Sequence, residues 1–473
     1  MTSHQEQVAA EVTIAEQAWG RVFGTVMDAI AGCFMRREPR ATTAELVAGL
    51  LLEVDTRNCW TLGQALGHCG PHRLQHLLSR ARFDHERARE EVARLVIGEL
   101  AGHDVVLVVD ETGDAKFSAD CVGAGHQYSG ALGGVGLCQV AVHLAVVTAT
   151  TRVAIDRMLY LPADWAEDEE RREMAGVPEE ITFATKSQQA LSMVAGALAA
   201  GIDARWFAAD EVYCGRELQR GIRSLGLGYA VGVAATHQVI DGAGHRWETR
   251  QLISKVRPGQ WMRQATGHGT KGTREYDWAW LDVRPDDTPD SDSDSDSDSN
   301  GNGNGNGNGN GTSVLVGRRH RYTGEVSYFR CWTPGDVALG ALIEVICRRW
   351  KIKETFQLGK SFTGLAQGQV TCWTPGCAGR CSPLSPPPSS RSPLPPPRRL
   401  PRMARSASSR SPAQNSYASY EPLYSRCLSR TATTSSTGQP GAATIKPSRQ
   451  PATSNDTTST TSCDRNYSCR DRA

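Results

Sequence analysis

A short apolar run that ends in a carboxylate constrains this sequence more than any other feature. Residues 105–109 read Val-Val-Leu-Val-Val, and Asp110 and Glu111 follow directly. An uninterrupted apolar run of this length is typical of a strand that is buried on both faces of a sheet. An acid that ends a buried strand is costly unless a cation neutralises it. We therefore predict a strand over 103–110 whose last residue, Asp110, meets a metal ion or another charged group.

A second segment has the same form. Residues 206–209 are apolar, and Asp210 and Glu211 follow them. Two strands that end in acids predict carboxylates that converge at one edge of a sheet, and such oxygen ligands suit a divalent metal used in phosphoryl chemistry. Glu111 and Glu211 are poorer candidates for ligands than the aspartates, because neighbouring side chains on a strand point to opposite faces.

Length and charge limit the class of protein. The 473 residues have room for two or three domains, and the net charge of +1 gives no overall attraction to DNA or to a membrane. Any nucleic-acid surface must therefore be a local patch. No stretch approaches the roughly 18 to 20 apolar residues of a membrane span. The first residues lack the basic and then apolar layout of a signal peptide, so we expect a cytoplasmic protein without membrane contact.

The first part of the chain is predicted to contain a helical region and an α/β region. Residues 1–100 have apolar residues at helical spacing. A basic face over 72–82 is compatible with DNA binding and equally with an ordinary solvated helix surface. Residues 101–235 predict three strands, a helix, a strand, a helix and a strand.

The rest of the chain is predicted to end in a disordered tail. Residues 236–335 predict a β-rich insertion, and its low-complexity stretch 287–311 predicts a disordered loop. Residues 336–360 predict one long helix within a segment 336–373. Residues 374–473 are rich in Pro, Ser and Arg, which predicts a disordered tail. Two hypotheses explain this tail: a frameshift in the gene, or a basic segment that binds DNA nonspecifically.

Four motifs in order carry a resemblance to a known family. They are VVDETGDAKF (109–118), GHQYSGALGGVGLCQVAVHL (125–144), FAADEVYCG (207–215) and RRWKIKETFQLGK (348–360). Over roughly residues 20–373 the chain resembles the bacterial insertion-sequence transposases of the DDE type. The resemblance implies an α/β fold in which an RNase H-like mixed sheet is flanked by helices. It covers an N-terminal helical domain and a β-rich insertion.

The same resemblance implies a chemistry and partners. Two Mg²⁺ ions, for which Mn²⁺ can substitute, would be held by three carboxylates and would activate the attacking oxygen. Asp110 would be the first ligand and Asp210 the second. The DNA partners would be double-stranded terminal repeats and a target site, and such enzymes usually act as homodimers. Tyr128, in the second motif, is expected to contact DNA.

The third ligand is where this sequence departs from the family. The family's helix carries Tyr, two residues, Arg, three residues, Glu, six residues and Lys. Here Arg349 and Lys360 match and would contact DNA phosphates, whereas the Tyr position is Ile346 and the Glu position is Lys353. Glu354 is the conditional third ligand, but one residue on a helix is a rotation of about 100°, so Glu354 points elsewhere.

Three functions remain open from the sequence. The first is a DDE-type transposase that cleaves and transfers DNA strands. In this copy either Glu354 substitutes imperfectly for the third ligand or Lys353 cripples the activity, and we favour the latter. The second is a non-catalytic relic that binds element ends. The third is an RNase H-like nuclease unrelated to transposition, which would cleave without preference for inverted repeats.

Overall fold

The computed structural model describes residues 3–269, 272–285, 311–369 and 371–373. The predicted tail 374–473 lies outside the described residues, and so does the predicted loop 287–311 apart from Gly311. The first hundred residues are helical, as expected. Their helices are α1 (Ser3–Ala29), α2 (Arg37–Leu50), α3 (Cys59–Ala65), α4 (His72–Ser79) and α5 (His85–Glu99).

The α/β region follows the predicted order with one strand and two short helices added. Its first elements are β1 (Val105–Ala115), β2 (Ala124–Ser129), β3 (Gly134–Val147), β4 (Arg152–Leu159), α6 (Ala163–Ala166), α7 (Glu169–Ala175) and α8 (Lys186–Ala199). It continues with β5 (Ala204–Ala209), α9 (Arg216–Ser224) and β6 (Gly228–Val233). The added helices are α6 and α7, and the added strand is β2, whose short sequence AGHQYS has no β-branched residue and gives little strand signal.

The remaining described residues contain the β-rich part and two last helices. Their elements are β7 (Gln238–Ile240), β8 (Arg246–Glu248), α10 (Thr249–Ser254), β9 (Met262–Gly269), β10 (Gly272–Asp282), β11 (Thr312–His320), β12 (Val326–Thr333), α11 (Leu339–Arg348) and α12 (Lys351–Thr363). The single long helix predicted over 336–360 is wrong. The helix breaks at Arg349 and Trp350, where the Trp350 N–H donates to the Cys347 carbonyl in a tighter turn.

One mixed sheet joins the core to the β-rich part. Its order is β2-β3-β1-β5-β6-β12-β11-β10-β9, and β4 pairs with β3 beside β2. Strands β1, β5 and β6 are parallel, while β3 and β12 flank them in antiparallel orientation. The insertion therefore extends the core sheet through the β6–β12 pair. This mixed sheet, flanked by helices, confirms the predicted α/β fold class.

The apolar run in β1 is buried on both faces, as predicted. Its residues 105–109 are at most 4% exposed. Side chains on one face pack against α8 and α9, through Val105, Leu107, Val109, Met193, Val194, Leu218 and Ile222. Side chains on the other face pack against α11 and α12, through Val106, Val108, Leu342, Ile343, Ile346 and Ile352. The segment that directly precedes Asp110 is therefore held in place by packing on both faces of the sheet.

Candidate metal centre

The register of two parallel strands places Asp110 and Asp210 at matching positions along the sheet. Val108 of β1 pairs with Ala208 of β5, so the two aspartates stand two residues beyond the same pair. Strand β5 ends at Ala209. The prediction that β1 ends at Asp110 is wrong, because β1 runs on to Ala115 along β3. The acid therefore lies inside a long strand, at the point where its parallel neighbour stops.

Three carboxylates meet at this edge of the sheet. One oxygen each from Asp110, Glu111 and Asp210 lies within 4.8 Å of the other two. Asp110 is 3% exposed, and its Oδ2 has no hydrogen-bond partner among the described residues. Hard oxygen donors with an unpartnered buried atom suit a divalent cation such as Mg²⁺. The cluster could therefore hold a metal, with Asp110 and Asp210 as the inner pair.

The electrostatics of the cluster favour a cation. Burial and the nearby charge of Asp210 raise the pKa of Asp110 to about 6, although Lys353 and Arg349 act in the opposite direction. Burial and the charge of Glu111 also raise the pKa of Asp210. Carboxylates that are desolvated and face like charges are stabilised when a positive charge is added.

The Asp210 carboxylate is held by the turn that follows β5. Its Oδ1 accepts a hydrogen bond from the Val212 N–H at 3.0 Å, at the start of the short 3₁₀ turn Glu211–Tyr213. The buried Tyr213 hydroxyl donates to Glu111 Oε2 at 2.7 Å. This bond ties the turn that carries Asp210 to the strand that carries Asp110.

Glu111 is engaged at both oxygens. Lys186 Nζ, at the start of α8, lies 3.1 Å from Glu111 Oε1, and Tyr213 takes the other oxygen. Glu111 follows Asp110 on the strand and faces α8, whereas Asp110 faces α12. The prediction that Glu111 is a poorer ligand than Asp110 remains untested, but its oxygens are already partnered.

The structure places Lys353, not Glu354, beside the aspartates. Lys353 Nζ lies 3.7 Å from Asp110 Oδ2. The half-exposed Glu354 forms an ion pair with Arg152 at 3.2 Å, and it does not belong to the carboxylate cluster. The side chain that points at the centre from α12 is therefore an ammonium, which repels a metal ion and cannot ligate one.

The three residues expected to contact DNA lie in different places. Arg349 is 6% exposed beside the aspartates, and its Nε and Nη1 have no hydrogen-bond partner among the described residues. Lys360 Nζ lies 2.8 Å from Asp114 Oδ1, further along β1. Tyr128 is 69% exposed on β2, which β3 separates from β1. The structure thus brings Arg349 to the centre, Lys360 near it, and Tyr128 to an exposed position two strands away from β1.

Sequence reasoning missed three residues around the centre. Lys186 and Tyr213 hold Glu111, and His143 is the register partner of Asp110 on β3. Burial lowers the pKa of His143 to about 4, so its ring is neutral at pH 7. Tyr213 lies within the quoted motif FAADEVYCG and could have been found there. Lys186 carried no signal, because only the fold brings it to Glu111.

The described residues contain no helix that is long and apolar enough to cross a membrane.

Comparison with known proteins gives a family match. No curated protein matches the chain. A family model described as DDE superfamily endonuclease matches residues 29–275, slightly more than half of the sequence. The match includes Asp110 and Asp210 and ends before α11. Together with the two aspartates at one sheet edge, it shows that this chain belongs to the DDE superfamily endonuclease family.

Proposed function

We propose that this chain is a DDE-type transposase in which Lys353 has removed the cleavage activity. The ancestral activity would be metal-dependent DNA cleavage and strand transfer at the ends of an insertion sequence. Family membership implies a DNA substrate. The proposal adds the terminal repeats and a target site as the DNA partners, and a homodimer as the acting species.

One contact carries the proposal. Lys353 Nζ lies 3.7 Å from Asp110 Oδ2, at the helix position where the resemblance puts the third carboxylate. In such sites, metal ions activate the attacking oxygen and stabilise the leaving oxygen of the scissile phosphate. Asp110 and Asp210 would hold a metal, and Lys353 removes the third ligand and adds a repelling charge. Binding of DNA does not need that ligand, since Arg349 and Lys360 would contact phosphates.

Residues of this chain keep the rest of the centre in order. Val212 orients Asp210, while Tyr213 and Lys186 hold Glu111. The lesion is therefore local: one side chain differs in charge, and the supporting contacts are intact. We expect restoration of a carboxylate at position 353 to restore cleavage.

A nicking assay tests this proposal. The full chain and its Lys353→Glu variant are incubated with Mg²⁺ or Mn²⁺ and labelled duplex DNA from the ends that flank the gene. We expect no metal-dependent nicking by the natural chain and a gain of nicking by Lys353→Glu. Adding Asp110→Asn to Lys353→Glu should abolish the gain, which excludes a contaminating nuclease.

Three results would count against the proposal. Nicking by the natural chain that Asp110→Asn abolishes would show an active enzyme. A folded Lys353→Glu variant that gains nothing would mean that Lys353 is not the lesion. Cleavage by that variant without preference for the flanking ends would favour a nuclease unrelated to transposition.

A further inference from the structure

Positive side chains surround the carboxylate cluster. Lys353 lies 3.7 Å from Asp110, and Lys186 lies 3.1 Å from Glu111. The buried Arg349 interacts electrostatically with both Asp110 and Asp210. Three carboxylates thus face three cationic side chains of the same chain, and their formal charges cancel.

This balance bears on how DNA approaches the centre. Desolvated carboxylates repel a phosphodiester, and a divalent cation would normally cancel their charge. Here the chain supplies its own cations. We propose that Lys353 replaces a metal ion electrostatically, so that a DNA backbone phosphate binds at this centre without divalent metal. This inference rests on the proposed function, since it takes DNA as the ligand.

A second observation points to an anionic ligand. Arg349 is 6% exposed, and its Nε and Nη1 have no hydrogen-bond partner in the part of the chain that the structure describes. Burying guanidinium donors without partners is costly. Arg forms strong charge-assisted hydrogen bonds to phosphate oxygens, so each of these donors suits an anionic ligand. A phosphate held by Arg349 would also be close to the Lys353 ammonium, because both side chains interact electrostatically with Asp110.

The lysine and a metal ion exclude each other in this arrangement. A metal ion at Asp110 Oδ2 would compete with Lys353, which faces that oxygen. In the natural chain, metal should therefore have no effect on DNA affinity. In Lys353→Glu, the cluster gains a negative charge and loses the ammonium, so DNA binding should become dependent on metal.

Fluorescence anisotropy with a labelled DNA duplex tests this dependence. The full chain is titrated at fixed ionic strength in EDTA, in Mg²⁺ and in Mn²⁺. We expect the same affinity for the natural chain in all three. Lys353→Glu should bind weakly in EDTA and recover by about 5- to 150-fold with metal, the usual range for coupled ligands. Lys255→Glu makes the same charge change at an exposed lysine outside the cluster and should show no metal-dependent recovery.

A melting experiment with metal alone gives an independent readout. Mn²⁺ should leave the melting temperature of the natural chain unchanged and raise that of Lys353→Glu, since a ligand that binds only the folded state stabilises it. If Lys353→Glu does not fold, Lys353→Met replaces it. That variant should also lose affinity in EDTA and regain part of it with metal.

Several results would overturn the inference. In the first two, the natural chain would lose DNA binding in EDTA and recover it in Mg²⁺, or Mn²⁺ would raise the melting temperature of the natural chain. The third such result is DNA binding by Lys353→Glu that does not depend on metal. Nicking is scored on denaturing gels from the same samples. A Lys353→Glu chain with metal-dependent binding but no nicking would contradict the proposed function and support this inference. If Lys353→Glu gains nicking but the natural chain needs metal to bind DNA, the proposed function is supported and this inference is contradicted.

Discussion

The centre has two parts, the sheet edge and helix α12. Both are held against the centre, but the sheet edge presents carboxylates and the helix presents an ammonium. The sheet edge presents Asp110 and Asp210 at matching positions of parallel strands, beyond the pair Val108–Ala208. Helix α12 packs on the same sheet through the buried Ile352, yet it presents Lys353 to Asp110. The residue that packs helix α12 on the sheet, Ile352, is thus different from the residue that faces the carboxylates, Lys353. An intact fold is therefore compatible with a changed centre.

The largest expected effect on stability concerns the apolar packing of helix α11 on the sheet. Ile346, in α11, is 1% exposed in the core that α11 shares with the sheet. Ile346→Ala should lower the free energy of unfolding by about 2–5 kcal/mol, because it removes buried methyl groups and leaves a cavity. Urea denaturation measures this loss. The control Leu358→Ala, at a side chain that is 44% exposed, should change it by less than about 0.5 kcal/mol. Equal effects at the two sites would contradict the packing account.

The next effect concerns the sheet edge and depends on pH. The pKa of Asp110 is about 6 in the fold, above its ordinary 3.8, so the folded chain holds a proton that the unfolded chain releases between these values. The cost of the ionised carboxylate is thus absent below about pH 4 and complete above about pH 6. Asp110→Asn should therefore raise the free energy of unfolding by on the order of 2 kcal/mol at pH 7.

Chemical denaturation at two pH values checks the sign. The gain from Asp110→Asn should shrink as the pH falls towards 4 and vanish well below the ordinary pKa of 3.8, where Asp110 is protonated in both states. A variant that is less stable than the natural chain at pH 7 would contradict the raised pKa of Asp110, which already includes the opposing effect of Lys353.

A smaller effect is expected at the bond between the two acid-bearing segments. Tyr213→Phe removes the hydroxyl that donates to Glu111 at 2.7 Å. A hydrogen bond to a charged group contributes about 1.5 kcal/mol or more to stability. Thermal unfolding should show this loss, while Tyr128→Phe, at an exposed tyrosine, should show none. Equal melting temperatures for Tyr213→Phe and the natural chain would remove the role given to this bond.

The smallest effect is expected at Glu354. Its ion pair with Arg152 is half-exposed to solvent, and such pairs contribute about 0–1 kcal/mol. Glu354→Gln should therefore leave stability almost unchanged, and it should not alter the nicking gained by Lys353→Glu. If it abolished that nicking, Glu354 would be a ligand after all, and the contrast between positions 353 and 354 would fail.

The core of the fold could be predicted because its signals are local. The Val-rich run of β1 and the short apolar runs of β5 and β6 each predict a buried strand. The helices predicted over 186–200 and 216–225 correspond to α8 and α9. The missed features depend on tertiary contacts. The break at Arg349–Trp350 interrupts a pattern that continues as a helix, and the β6–β12 pair joins strands about a hundred residues apart.

The centre could be predicted in its acids but not in its supports. Each aspartate follows its own apolar run, so the sequence predicts both positions, and the parallel register brings them together. The direction of Lys353 follows from helix geometry, since a neighbour one residue away is rotated by about 100°. Lys186 is 75 residues from Glu111, and no sequence pattern links the two.

Anomalous diffraction from crystals soaked in Mn²⁺ tests the central claim most directly. The map is compared between the natural chain and Lys353→Glu at the oxygens of Asp110 and Asp210. The account predicts no manganese peak beside Lys353 in the natural chain and a peak bound by the new carboxylate in the variant. A peak between Asp110 and Asp210 in the natural chain, with Lys353 turned away, would contradict it.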